Sequence, residues 1–360
     1  MIETIRSVLA FLVVLGVLVF FHELGHYAAA RARGVVVEAF SIGFGPTLLS
    51  WQAKSGTVWK LSALPLGGYV KMQGWGEDEA EAPKLPGSFA AASLGSKALI
   101  VAAGPIANMV LAFVLYTGLF ALNGQIQVQP VLSKIIPGSP AAVAGLLPGD
   151  RILSVGGHPI QYFDDIQTIV MAHPDTDLVV EFERGSVTHS QEIKTGHKDV
   201  GADEVGLLGV EGDQYSTTKL GPVAALAAAG QETWKLTTQT LSGLANLVFH
   251  GRGAQDLGGP LRIAQMSGTV AALGIPSLIS FIAMLSVNLG LINLVPIPIL
   301  DGGHLLFYFA EAIYGRPIPK KAQEYGMRIG FALLLSLFAF TTLNDLTALG
   351  AVHWVAHLLG

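Results

Sequence analysis

Apolar residues gather in four long runs, at about 5–30, 97–122, 277–300 and 327–350, with stretches of different character between them. Each run is near the roughly 20 residues that an α-helix needs to cross a bilayer, so the pattern predicts four membrane-spanning helices. Arg6 ahead of the first run is also the flank expected of a signal peptide. No cleavage-like segment follows it, however, and the run carries "HELGH" directly onward, which favours a retained span.

Between the second and third runs the period changes. "QVQPVLSKIIPGSPAAVAGLLPGDRILSVGGHPI" alternates apolar and polar positions between Gly and Pro punctuation, the pattern of short strands and turns. "DDIQTIVMAH" follows as a short helix with Asp164 or Asp165 near its start, then "DLVVEFERG" as a strand and "SVTHSQEIKT" as its hairpin partner. These make a small β-rich domain ending near residue 212. From 217 the pattern becomes helical, opened by Gly221-Pro222, with Trp234, Leu241, Leu244 and Leu247 along one side. That spacing is amphipathic, suited to lying on a membrane surface rather than spanning. Residues 40–74 are too irregular for a span and too apolar for a simple loop. Alternation in "TVWKLSAL" and the pairs Gly43/Gly45 and Gly67/Gly68 suit strands and tight turns.

Composition agrees with a membrane protein carrying some soluble mass, since 51% of residues are hydrophobic and 13% charged, against roughly 25% charged in ordinary soluble domains. A net charge of -5 gives no sign of a nucleic-acid partner. The absence of cysteine excludes disulfides, thiolate metal sites and cysteine nucleophiles, so any metal must be held by His, Asp or Glu. Arg31, Arg33, Lys54, Lys60, Lys71, Lys84 and Lys97 lie between the first two spans, and Arg316, Lys320 and Lys321 between the last two. By the positive-inside rule both loops are cytoplasmic, and residues 125–276 and both termini lie on the other side.

The chemistry begins in the first span. His22 and His26, at i and i+4, share one helix face and can direct ring nitrogens at a single ion, with Glu23 beside them. Catalytic zinc keeps three protein ligands and one open position and lowers the pKa of its water toward about 7, whereupon a nearby carboxylate takes the proton. Three ionisable side chains within one turn of a spanning helix cost a few kcal/mol each at the bilayer centre unless they face a protein interior or a water-filled cavity.

A third ligand is sought in "NLGLINLVPIPILDGGH", residues 288–304. Asp301 stands at the end of the third run beside Gly302-Gly303, and Pro296 and Pro298 interrupt the helix and free backbone groups that a cavity or neighbouring helices must satisfy. On these residues alone Asp301 is equally a turn acid, since Asp-Gly is a common turn pair, and Asn288 and Asn293 equally bridge helices. His304 is a candidate for a supporting position beside the metal. His353 and His357 in "HWVAH" also stand at i and i+4, but no acid follows the first, and a short amphipathic C-terminal helix accounts for them. His158, His173, His189, His197 and His250 are scattered over the soluble part and expected to face solvent.

Together, "HELGH", "GPIAN" (104–108), a single outer domain with "AGLLPGD", and "NLVPIPILDGG" resemble the site-2 protease family of intramembrane zinc metalloproteases, and more narrowly its bacterial regulator-of-sigma-E protease branch. The resemblance runs in order over nearly the whole chain. It implies that His22, His26 and Asp301 bind Zn2+ and that Glu23 is the catalytic base. It implies further that Asn288, Asn293, Pro296 and Pro298 shape the site and hold an unwound substrate, and that Pro105 and Asn108 belong to a second-span motif near the catalytic centre, Asn108 being counted among the substrate-binding residues. The outer domain is similar to PDZ domains. Residues 40–74 correspond to a β-hairpin that dips into the membrane, where an edge could pair with substrate; a cytoplasmic β-loop packed on the helices is the other possibility.

The expected fold is an α-helical polytopic membrane protein with four transmembrane helices, a membrane-associated β-hairpin region and one inserted β-rich PDZ-like domain. Its order is a first span over 1–35, a β region and loop over 36–96, a second span over 97–122, the PDZ-like domain over 125–212, an amphipathic segment over 217–276, and spans over 277–303 and 327–350. The resemblance implies regulated intramembrane proteolysis in a bacterial inner membrane, as in stress responses. Its substrates would be single-span membrane proteins already cut by another protease, such as an anti-sigma factor or remnant signal peptides, with membrane lipid as the other partner. A non-proteolytic PDZ-bearing scaffold or quality-control adaptor and a zinc transporter are the alternatives, and Glu23 argues against both, since neither needs a general base there.

Overall fold

The computed structural model of the chain describes residues 2–75, 85–200, 203–251 and 258–348. In chain order these form α1 (Ile2–Ala32), β1 (Val37–Gln52), β2 (Val58–Met72), α2 (Leu94–Asn123), β3 (Gln125–Val128), β4 (Lys134–Ile135), α3 (Pro140–Val143), β5 (Arg151–Val155) and β6 (His158–Pro159). Next come α4 (Phe163–Met171), β7 (Asp177–Arg184), β8 (Val187–Lys194), β9 (Gly196–Val200), β10 (Asp203–Leu207), β11 (Val210–Glu211) and β12 (Tyr215–Thr218). The chain continues through α5 (Pro222–His250), α6 (Pro260–Ala272), α7 (Ile275–Leu294), α8 (Asp301–Tyr314) and α9 (Lys320–Ala348). "HWVAH" lies outside the described residues.

Four helices among the described residues, α1, α2, α7 and α9, are long and apolar enough to cross a membrane. They are apolar on all sides, which suits either a large core or lipid. Leu9 and Val13 on α1, Val110 and Val114 on α2, and Phe331, Leu335 and Phe338 on α9 stay exposed, so lipid is the medium that accommodates them. In contrast α5 exposes Trp234 and Leu241 and buries Ala225, Ala228 and Ala229, an amphipathic division.

The described chain divides into two compact units. The first contains α1, β1, β2, most of α2, the middle of α5 and α6 to α9. One of its cores joins Ala30, Phe40, Val70, Met72, Phe89, Ile100 and Tyr308, and another joins Val14 and Leu18 of α1 to Phe281 and Ile282 of α7. β1 and β2 pair antiparallel from Val37↔Met72 to Gln52↔Val58. Their base is buried, with Phe40 stacked on Trp59 at 4.3 Å between ring centroids. Farther out, Phe44, Leu48, Leu49, Trp51 and Leu64 are exposed.

The hydrophobic pattern carries the third span through to Gly303, whereas α7 ends at Leu294 and a separate helix, α8, starts at Asp301. Pro296 and Pro298 are the reason. Neither can donate to the helical ladder, and each disfavours helical backbone in the residue before it; Val295 is accordingly extended at φ -62° and ψ 136°. The last span starts earlier than its apolar run, because α9 begins at the polar Lys320-Lys321 pair.

The second unit holds β3 to β12 with α3 and α4. Its largest sheet has the strand order β6-β5-β7-β8, packed over Leu132, Leu146, Ile152, Val155, Phe163, Ile166, Val180 and Phe182. Asp150, buried at the head of β5, receives the Arg184 guanidinium in two hydrogen bonds of 2.8 and 2.7 Å and the Leu147 amide at 2.8 Å. Burial alone would push the Asp150 carboxyl up, but these donors hold it below the usual carboxylate range. The unit does not stop near 212: β12 pairs with β3 from Tyr215↔Val128 to Thr218↔Gln125, so the strands that enter and leave it lie side by side.

Candidate metal centre

Three helices meet at the site. Apolar sequence on both sides of "HELGH" keeps α1 helical through it, so His22, Glu23 and His26 fall on adjoining positions of one face. α8 brings Asp301 as its first residue. Asp301 Oδ2 lies 3.1 Å from His22 Nε2 and 3.5 Å from His26 Nε2, and the two Nε2 atoms are 3.2 Å apart. Among the described residues this is the one cluster of three or more His, Cys, Asp or Glu side chains arranged to hold a metal.

α2 supplies the wall behind the histidines. His26 Nδ1–H donates to the Ile100 carbonyl at 2.9 Å, which puts the proton on Nδ1 and leaves the Nε2 lone pair for the cluster. Asn108 Nδ2 lies 3.3 Å from His22 Nδ1. Between these positions a side chain on Gly104 would run into the His26 ring, so the imidazole lies directly against the α2 backbone. Gly25 lets α1 approach α2 equally closely at Ala103 and Ala107. Both histidines and Asn108 are buried.

Glu23 sits within electrostatic reach of His22, His26 and Asp301. β2 passes it at Gly68, where an added Cβ would stand 2.9 Å from Glu23 Cγ and 2.8 Å from the Ser41 carbonyl. At Gly302 a side chain would collide with the carbonyls of Leu294 and Val295, so the first turn of α8 lies tight on the end of α7 and Asp301 is held over α1.

This donor set fits zinc. Ligand atoms about 2.0–2.1 Å from a tetrahedral ion stand about 3.3 Å from one another, close to the three separations measured here. Two neutral imidazoles and one carboxylate leave a single positive charge on such a site and one open position, the composition of catalytic rather than structural zinc centres.

The other residues singled out in the sequence are distributed as follows. Asn288 Oδ1 accepts a hydrogen bond from Thr240 Oγ1 at 2.7 Å, bridging α7 to α5. Asn293 is half-buried on the last turn of α7, and Pro296 and Pro298 occupy the linker just ahead of Asp301. The Pro105 carbonyl approaches Gly290, and Ser286 Oγ donates to the Asn108 carbonyl at 2.8 Å, locking α7 onto α2. His304 is set edge-on to Trp75, with ring centroids 6.1 Å apart, in a cleft of about 1010 Å³ also lined by Tyr69, Lys97 and Tyr308. His158, His173, His189 and His197 are exposed. Sequence reasoning missed Ile100, Gly104 and Gly25, although Ile100, Gly104 and Asn108 recur at the four-residue spacing of one helix face.

Comparison with known proteins identifies the lineage. The profile described as Peptidase family M50 matches residues 10–337. A Rhizobium meliloti (strain 1021) protein provisionally named a zinc metalloprotease is 42% identical over 356 residues, covering 93% of this chain and 95% of its own. Zinc metalloprotease RasP of Geobacillus kaustophilus (strain HTA426) is 30% identical over 421 residues, covering 96% of this chain and 99% of its own. Of solved structures, a PDZ domain of an SdrC-like protein from Listeria monocytogenes covers 23% of this chain and 84% of its own at 16% identity, with a TM-score of 0.21. With a profile matching across the spans and relatives aligned nearly end to end, this chain belongs to peptidase family M50, the site-2 protease family of membrane zinc metalloproteases.

Proposed function

We propose that the protein hydrolyses peptide bonds within transmembrane segments of single-span membrane proteins. His22, His26 and Asp301 hold the zinc, and Glu23 is the general base. The observation that carries this is the convergence of three ligand atoms, 3.1 to 3.5 Å apart, beside a carboxylate on a helix apolar enough to span a membrane. Zinc in such a site supplies a Lewis acid that polarises the scissile carbonyl and makes water nucleophilic near neutral pH. Glu23, beside the three ligand atoms, would take the proton from the attacking water and pass it to the leaving amine.

A transmembrane substrate hides its carbonyls in helical hydrogen bonds and must unwind before attack. The exposed strands β1 and β2 offer backbone to an unwound segment in the manner of strand addition. Asn108, Asn293 and the Pro296–Pro298 linker border the path of that segment, and Asn288 holds α7 in place beside it. The β-rich domain is proposed to be PDZ-like and to admit substrates that another protease has already trimmed, an anti-sigma factor or a remnant signal peptide among them. The loops rich in Lys and Arg are assigned to the cytoplasm of a bacterial cell, and the β-rich domain and both termini to the opposite side of its inner membrane.

The test uses purified protein in detergent with a tagged single-span substrate. Wild type is expected to cut it, Glu23→Gln to keep its zinc but lose at least about 100-fold in rate, and Asp301→Ala to lose zinc. Equal cleavage by wild type and Glu23→Gln would overturn the assignment of the base.

A further inference from the structure

Asn108 has two polar atoms and the described structure accounts for one of them. Nδ2 lies 3.3 Å from His22 Nδ1, and Oδ1 is buried with no partner. The residue is fully buried, and its backbone is fixed by Ser286 Oγ–H donating to its carbonyl and by Gly290 packed beside its Cβ. A polar side chain held so firmly against a histidine calls for a specific task.

The protonation of His22 defines that task. Its Nε2 is the atom that converges with His26 Nε2 and Asp301 Oδ2. A nitrogen that binds a metal must present a lone pair, so in the zinc-bound enzyme the His22 proton is on Nδ1 and Nδ1–H must donate. An amide NH2 cannot accept it. The two ends of an amide are nearly alike in size, and a half-turn about the Cβ–Cγ bond brings Oδ1, otherwise without a partner, to the imidazole. For His26 the same service comes from a backbone carbonyl, that of Ile100 at 2.9 Å. Residues 100 and 108 lie two turns apart on α2 with Gly104 between them, so one face of one helix serves both rings.

We infer that Asn108 is a positioning residue for the metal: in the zinc-bound protein its Oδ1 accepts the His22 Nδ1–H hydrogen bond, fixing the tautomer and ring angle that present Nε2 to zinc. This rests on the assignment of His22 as a zinc ligand and deepens it. Both histidines then have neutral acceptors, so no second carboxylate reduces the positive charge of the centre.

Zinc affinity, measured by competition with a fluorescent chelator on purified full-length protein, tests this apart from activity. Asn108→Leu, which keeps the branched shape but cannot accept, is expected to bind zinc about 10- to 100-fold more weakly, the usual effect of losing a partner behind a metal-bound histidine. Asn108→Asp, which can accept, is expected to bind at least as tightly as wild type. His22→Ala serves as control and should lose zinc outright. If Asn108→Leu binds like wild type while His22→Ala does not, the inference fails and the ligand assignment stands. If His22→Ala also retains zinc, the ligand assignment itself fails. Equal weakening in the Leu and Asp variants means that the amide N–H2 donor, which both lack, and not the Oδ1 acceptor, is what Asn108 provides, and also overturns the inference. Should Asn108→Leu not fold, Asn108→Ala replaces it, removing the amide without adding bulk.

Discussion

Gly104 has no functional group, yet the position of His26 depends on it. A Cβ there would overlap the imidazole, and the ring cannot retreat while its Nδ1–H is held by Ile100. Gly104→Val should therefore push α2 away from α1, with an overpacking penalty of about 1–3 kcal/mol. A displacement near 1 Å at a reacting centre lowers turnover by on the order of 100-fold. Substrate cleavage should thus fall far more than the thermal midpoint, and comparing the two on one preparation checks it; unchanged cleavage would show that the contact does not position the ring. Legibility in the sequence followed functional groups. His22, Glu23 and His26 stood out because imidazoles and a carboxylate have no ordinary place in a lipid-spanning helix. On its local residues Asp301 is open between ligand and turn acid, because its closeness to His22, 3.1 Å from Oδ2 to Nε2, depends on a fold that joins distant segments of the chain. Gly104 and Gly25 stand inside "GPIAN" and "HELGH", yet neither shows its own task in the sequence, because a glycine has no functional group and its partner here lies on another helix.

The helices show a related limit. Their centres follow from hydrophobic runs, but their ends depend on partners far away in the chain. α6 begins at Gly259-Pro260, a start that sequence can suggest, yet Gly259 offers no side chain to cap it. The cap comes from α9: Asp345, only 2% exposed, accepts the Gly259 N–H at 3.0 Å through Oδ1 and the Arg262 N–H at 2.9 Å through Oδ2. A carboxylate at a helix N-terminus also meets the positive end of the helix dipole, which reconciles a buried acid with a helix suited to lipid. Asp345→Ala is expected to remove about 1 kcal/mol from the first turn of α6, the usual value of a cap. Hydrogen exchange should become several-fold faster over residues 259–264, with Asp345→Asn in between because its amide keeps one acceptor. No change in exchange there would mean that α6 is held by its packing on α1, where Gly268 meets Ser7, and not by the cap. The end of the β-rich unit was hidden for the same reason: β12 has its partner, β3, about ninety residues earlier.

For the molecule as a whole, the proposed sidedness rests on Lys and Arg in short loops, worth little individually but consistent in sign between the first two and the last two spans. On the proposed function it would also connect the chemistry to a biological effect, since a fragment released by cutting inside the bilayer would act on the side its remaining domain faces. The absence of cysteine allows a direct test, because single cysteines can be introduced without a background. Ala91, exposed in the loop before α2, and Ser186, exposed in the turn between β7 and β8, are separated along the chain by a single helix apolar enough to cross a membrane. With a membrane-impermeant maleimide applied to intact spheroplasts, Ser186→Cys should label at once, and Ala91→Cys only after permeabilisation. The reverse pattern would invert the protein and put the β-rich domain in the cytoplasm, where it could not screen substrates trimmed outside. Labelling of both sites from one side would mean that α2 does not cross. In that event His26 and Asn108, which α2 holds in place, would sit in a solvated bundle, and the cost of burying charge in lipid would no longer explain why this site is so enclosed.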